Sequence, residues 1–183
     1  MKKTSNKFKV GISGHRDIQQ TNKNIYLSQI KEYLNYLIYK YPTKEILAVS
    51  PLADGADRLF IQAAIEIGLR YEVILPMKPN LYQKDFDNDS YREFNKMLLN
   101  AREYKVIPIY NEISEESIAY HGADRDLQYR EVGRQLINET DSMLFLWDGK
   151  ENTKVGGTYD TLTYAKEHNI NYKIIHCERE NYG

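Results

Sequence analysis

The sequence predicts an α/β fold: a Rossmann-like doubly wound sheet, mainly parallel, of about six strands with helices on both faces. Three observations lead there. Short apolar runs alternate with amphipathic stretches from end to end, as in βαβ units. Several of the runs, such as EILAVS, YEVILP and SMLFLW, are nearly continuously apolar, as strands covered by helices on both sides must be. Glycine-bearing turns follow the first, second and fifth of these runs, where an open α/β sheet places its ligand crevice.

The predicted strands are residues 8–13, 45–50, 71–76, 105–110, 142–147 and 172–177. Ile25, Ile30, Leu34, Leu37 and Ile38 follow helical spacing and predict a helix over 24–41. A second helix fits 57–67, with Leu59, Phe60, Ala63, Ala64 and Ile67 on one face and Gly68 as its stop. The long connection 79–103 holds a polar, aromatic stretch before a helix around 92–102. Leu127, Val132, Leu136 and Ile137 mark a helix over 126–138, and the last lies between Gly157 and His168. Residues 111–125 are too polar for core and read as a mobile loop over the strand ends. Nothing in the 183 residues divides them, so one domain over 1–183 is expected.

Charge and composition narrow the function classes. Twenty-five Lys and Arg nearly balance 26 Asp and Glu, for a net charge of −1. That balance offers no basic stripe, so nucleic acid is not an expected partner, and any attraction to phosphate has to be local. No apolar run can span a bilayer and the polar start MKKTSNKFKV lacks a signal-peptide core, so no membrane association and a cytoplasmic location are expected. The single Cys177 reads as a small packed side chain. Four scattered histidines have no zinc-ligand spacing, and neither a metal nor a cofactor is expected.

The candidate chemistry sits in the three turns. The first, G-I-S-G-H-R-D, offers Gly11, Ser13, Gly14, His15 and Arg16 as ligand contacts, because glycines let the backbone approach an anion and Arg can pair with phosphate. In the second, S-P-L-A-D-G-A-D-R, Asp57 reads as a helix cap, whereas Asp54, Gly55 and Arg58 are placed to face a ligand. The third, K-V-G-G-T-Y-D-T, brings Gly156, Gly157, Thr158 and Asp160 to a helix start suited to cradling an anion, and Tyr159 within it is placed to stack on a base.

With these turns in view the chain resembles the SLOG superfamily, which joins the Rossmann-like domain of DNA-processing protein A to the Lonely Guy phosphoribohydrolases. S-P-L-A-D-G-A-D looks like the S-G-x-A-x-G-x-D turn of the DNA-processing branch, and L-Q-Y-R-E-V-G-R ahead of the double glycine follows the order of the Lonely Guy enzymes. The resemblance implies a pocket for a nucleotide or nucleotide-like small molecule and a homodimer or higher homo-oligomer. It also offers an alternative, a phosphoribohydrolase in which Arg130 holds phosphate and Glu131 or Asp160 supplies the acid/base group. Against that alternative, the position matching the enzymes' glutamate is Thr161, and Glu131 stands where their motif has lysine.

Overall fold

The computed structural model describes residues 6–111 and 113–180. All six strands join one parallel sheet in the order β4-β3-β2-β1-β5-β6. They are β1 (Lys7–Gly14), β2 (Glu45–Ser50), β3 (Arg70–Leu75), β4 (Glu103–Val106), β5 (Ser142–Trp147) and β6 (Asn171–His176). The helices are α1 (Lys23–Lys40), α2 (Ala56–Glu66), α3 (Pro79–Tyr82), α4 (Asn88–Asn100), α5 (Ala123–Glu139) and α6 (Thr158–Glu167). The sheet is therefore wholly parallel.

The alternation of side chains along the strands creates two apolar layers, one on each face. Val10 and Ile12 of β1, Ile46 and Ala48 of β2, and Leu144 and Leu146 of β5 pack with Ile30 and Leu34 of α1 and Phe60 of α2. Val49 of β2 and Met143 and Phe145 of β5 point the other way, onto Val132 and Leu136 of α5 and Leu162 of α6. A strand covered on both sides has no polar face to show, which is why these runs read as continuous apolar stretches.

Where prediction and structure part, the causes are local. The fourth strand lies about two residues earlier than 105–110: Ile107 still donates to Leu75 O, but Pro108 has no N–H to continue the ladder. The carbonyls of Pro76 and Pro108 instead accept from the fully buried Gln128, which ties both strand ends to α5. The polar stretch 79–88 folds into α3 and a following turn, with Tyr82 and Phe94 packed edge to face at 5.6 Å. The loop read over 111–125 contains a short helical turn, Ser117–Ala119, that buries Ile118, and its last three residues already belong to α5.

Candidate functional site

The chain runs outward from β1 to β4 on one side, then returns to place β5 on the other side of β1. At that reversal the turns after β1 and β5 leave a crevice at the carboxyl ends of the strands. It is a cleft of about 450 Å³, lined by Ser13 to Asp17 of the first turn, Pro51, Ala53 and Asp57 of the second, and Lys154 to Thr158 of the third. Tyr82, His121, Asp126, Tyr129 and Arg179 also stand in the walls, with Val132, Leu136 and Thr161 among the residues beneath. The three glycine-bearing turns thus converge on one space.

The glycines hold the convergence together. A side chain at Gly14 would strike Ala56 and the Leu146 carbonyl, so this glycine lets the start of α2 approach the sheet. Gly55 has φ +74°, and a Cβ there would overlap the carbonyls of His15 and Arg16; its bare backbone lets Ala56 N donate to His15 O at 3.1 Å. Gly156, with φ +71°, lies against α5, where a Cβ would come within 2.6 Å of Asp126 O and 2.8 Å of Arg130 N. Gly11 is not among the cleft residues: it lies further back along β1, where its missing side chain makes room for Met143.

Several residues expected to meet a ligand are committed elsewhere. Arg58 is 4% exposed and donates to Leu52 O, to Ser90 and to Glu93, while pairing with Asp54 at 2.9 Å. It also lies 4.6 Å over the Phe86 ring. Asp54 accepts from Ser90 as well. Both residues therefore anchor the second turn to α4, outside the cleft lining. Asp160 accepts from Gly156 N at 2.8 Å and so fixes the third turn from within. Arg130 leans over Tyr110, 5.5 Å from the ring centre, and Glu131 pairs with Arg130 and Arg134 on the far side of α5. Tyr159 stacks on Trp147 at 5.7 Å, in the apolar layer beneath α6.

Those that do line the cleft are Ser13, Gly14, His15, Arg16, Gly156, Gly157 and Thr158. Arg16 donates from Nη1 to Asp85 Oδ2 at 3.0 Å and lies 5.2 Å over the Tyr129 ring. Asp85 is wholly enclosed and also accepts from Arg125 Nη2 at 2.6 Å and from the Tyr129 hydroxyl. Burial alone would raise the Asp85 carboxyl, but Arg16, Tyr129 and Arg125 together hold it below the ordinary carboxylate range. Two arginines thus share one carboxylate, a local excess of positive charge inside a chain that is neutral in bulk. At the mouth of the third turn Lys154 is exposed and has no ion-pair partner among the described residues. Beside it α6 begins at Thr158 with no side-chain cap, so its first N–H groups are open to an anion.

Opposite stands a second cluster. His15 Nε2 is 3.0 Å from Asp148 Oδ1, but off the direction of a hydrogen bond. Burial holds His15 below the ordinary histidine range in spite of that carboxylate. Arg179 donates to Asp17 Oδ1 at 2.8 Å, because the strand-like bridge between Ile18 and Arg179 folds the segment after β6 back over the first turn. Cys177 lies beneath, fully buried, its thiol pushed up to about 12 by burial.

The sequence reading missed Asp57, Tyr129 and Arg179 in the cleft lining, and Asp85, Arg125 and Asp148, which hold lining residues from behind. Asp57 caps no helix; it lies within α2 and accepts from Ala53 N at 3.1 Å. Asp148 could have been found, since it follows the apolar run of β5 at the switch point. Arg179 carries no such signal, because only the tertiary bridge brings it in.

No family model and no curated protein matches the chain. Solved structures do. DNA processing protein A from Streptococcus pneumoniae superposes with a TM-score of 0.63 at 13% identity, over 96% of this chain and 52% of that one. DNA processing protein A from Helicobacter pylori gives 0.58 at 14% identity, over 96% of this chain and 68% of that one. The chain shares with these proteins a Rossmann-like α/β fold. This chain spans about half the length of the first neighbour. The Helicobacter pylori protein binds single-stranded DNA. Its example corrects the expectation that nucleic acid is not a partner: that expectation rested on bulk charge, and a groove on this fold can serve a nucleic acid whatever the net charge of the chain.

Proposed function

We propose that this chain binds the phosphate-bearing part of a nucleotide or nucleotide-derived ligand in the cleft at the carboxyl edge of β1 and β5. The observation that carries the reading is the meeting of Lys154, which has no ion-pair partner among the described residues, and the uncapped start of α6 with Arg16 across one cleft. A space of about 450 Å³ is in the range of about 300–1,000 Å³ typical of small-molecule sites. Cleavage in the manner of the Lonely Guy enzymes fits less well. Thr161, at the position of their glutamate, lines the cleft and spends its hydroxyl on Gly157 O, while Asp160 is turned to Gly156 N.

A second reading, that the phosphate belongs to a single strand of DNA, is favoured by the fold shared with the Helicobacter pylori protein. One panel separates the two. Thermal unfolding is followed with AMP, NAD and a short oligothymidylate, and binding is repeated at rising salt. At a hundredfold excess over Kd a ligand adds about 2.7 kcal/mol of stability. Stabilisation by AMP or NAD supports the nucleotide reading. Stabilisation by the oligonucleotide alone, with affinity falling steeply in salt, favours DNA. No response to any of them removes both. Lys154→Glu is expected to weaken binding at least tenfold at unchanged melting temperature, since the side chain is exposed and unpaired among the described residues.

A further inference from the structure

Asp57 and Asp85 are two buried carboxyls beside the same cleft that the protein treats in opposite ways. Asp85 receives three donors, two of them guanidinium groups. Asp57 is 5% exposed and lines the cleft, yet its Oδ2 accepts one backbone N–H and its Oδ1 has no donor among the described residues. Neither neighbouring arginine answers it. Arg58 is turned to Leu52, Ser90, Glu93 and Asp54, and Arg16 to Asp85. Besides Asp54 in the same turn, other ionisable groups share the cleft: Tyr82 from α3, His15, Asp17 and Arg179 around the first turn, and His121, Asp126, Tyr129 and Lys154 across it.

We propose that Asp57 binds the ligand as a neutral carboxylic acid, donating a hydrogen bond from its free oxygen to a phosphate oxygen, so that ligand and proton bind together. This rests on the cleft being the nucleotide site. A carboxylate enclosed with a single neutral donor is poorly solvated, and taking up a proton relieves that cost. Burial accordingly pushes Asp57 up to about 7. An ionised carboxylate at that wall would repel an incoming phosphate; the protonated acid turns the same side chain into a donor. The ligand class that follows is one presenting an anionic oxygen deep in the cleft, beneath the second turn, rather than a cation or an apolar group.

The test is calorimetric titration with NAD, whose pyrophosphate holds a constant charge through neutral pH. Titrations at about pH 6, 7 and 8 are run in two buffers of different ionisation enthalpy. If only the protonated form binds, affinity falls about tenfold between about pH 6 and about pH 8, and close to half a proton is taken up at about pH 7. Asp57→Asn, which keeps the shape, the acceptor for Ala53 N and a donor, is expected to lose both effects and to bind about tenfold tighter than the parent chain at about pH 8. NAD binding without proton uptake, or the same pH dependence in Asp57→Asn, overturns the inference while leaving the cleft as the site. No heat at any pH with NAD, AMP or oligothymidylate overturns the cleft reading, and the inference with it.

Discussion

At the scale of single residues, stability should depend on pH through the same two carboxyls, with opposite signs. Asp57 has its carboxyl raised to about 7 in the fold, above the roughly 3.9 of an unfolded chain. The folded state therefore holds the extra proton between these values, so this contribution is complete below about pH 4 and is lost as pH rises through about 7. Asp57→Asn is expected to be more stable than the parent by a few kcal/mol at about pH 8, the gap closing toward about pH 4, as read by urea unfolding across pH. Asp85 is held low, so what it contributes is present above the unfolded value and is lost as pH falls through its folded one. Asp85→Ala strands Arg125, whose side chain is 1% exposed, without its carboxylate. Unfolding of that variant should be easier by about 3–5 kcal/mol, with Arg16 released from its anchor and ligand affinity reduced.

At the scale of elements, the glycine turns were legible because their chemistry is written in adjacent residues. The strand, the turn and the helix start follow one another in G-I-S-G-H-R-D and K-V-G-G-T-Y-D-T, and the structure brings both to one cleft. What each residue does inside a turn was less legible. Asp160 and Asp54 looked available for a ligand, but one fixes the Gly156 amide and the other serves Arg58 in α2 and Ser90 on α4, a helix that begins 34 residues on. Such partners are chosen by packing between elements, which spacing along the chain does not record. Gly156→Ala tests the element directly. A side chain there must adopt φ +71° and meet the backbone of α5. A loss of about 1–3 kcal/mol is expected, with weakened ligand binding as the third turn pulls away from α5. Parent-like stability and affinity would mean that the turn need not lie against that helix.

For the whole molecule, the parallel sheet followed from apolar runs that could be buried on both faces and from helical spacing between them. The early start and end of the fourth strand, the closure of 177–180 over the first turn and the Asp85–Arg125–Tyr129 cluster did not, because each joins residues distant in sequence. The reading of charge erred for a related reason. A net charge of −1 averages over the chain, whereas Arg16 and Arg125 are gathered on one carboxylate, and Lys154 stands without an ion-pair partner among the described residues at the rim of the same cleft. The fold is shared with DNA processing protein A, at identities that fix architecture alone. The cleft itself is most directly tested by following backbone amide resonances while NAD or AMP is added. The largest shifts are expected at Gly14, Arg16, Gly156, Gly157 and Thr158. Shifts that spare these amides and gather at the groove between α1 and β6, around Tyr36 and His176, would contradict the account.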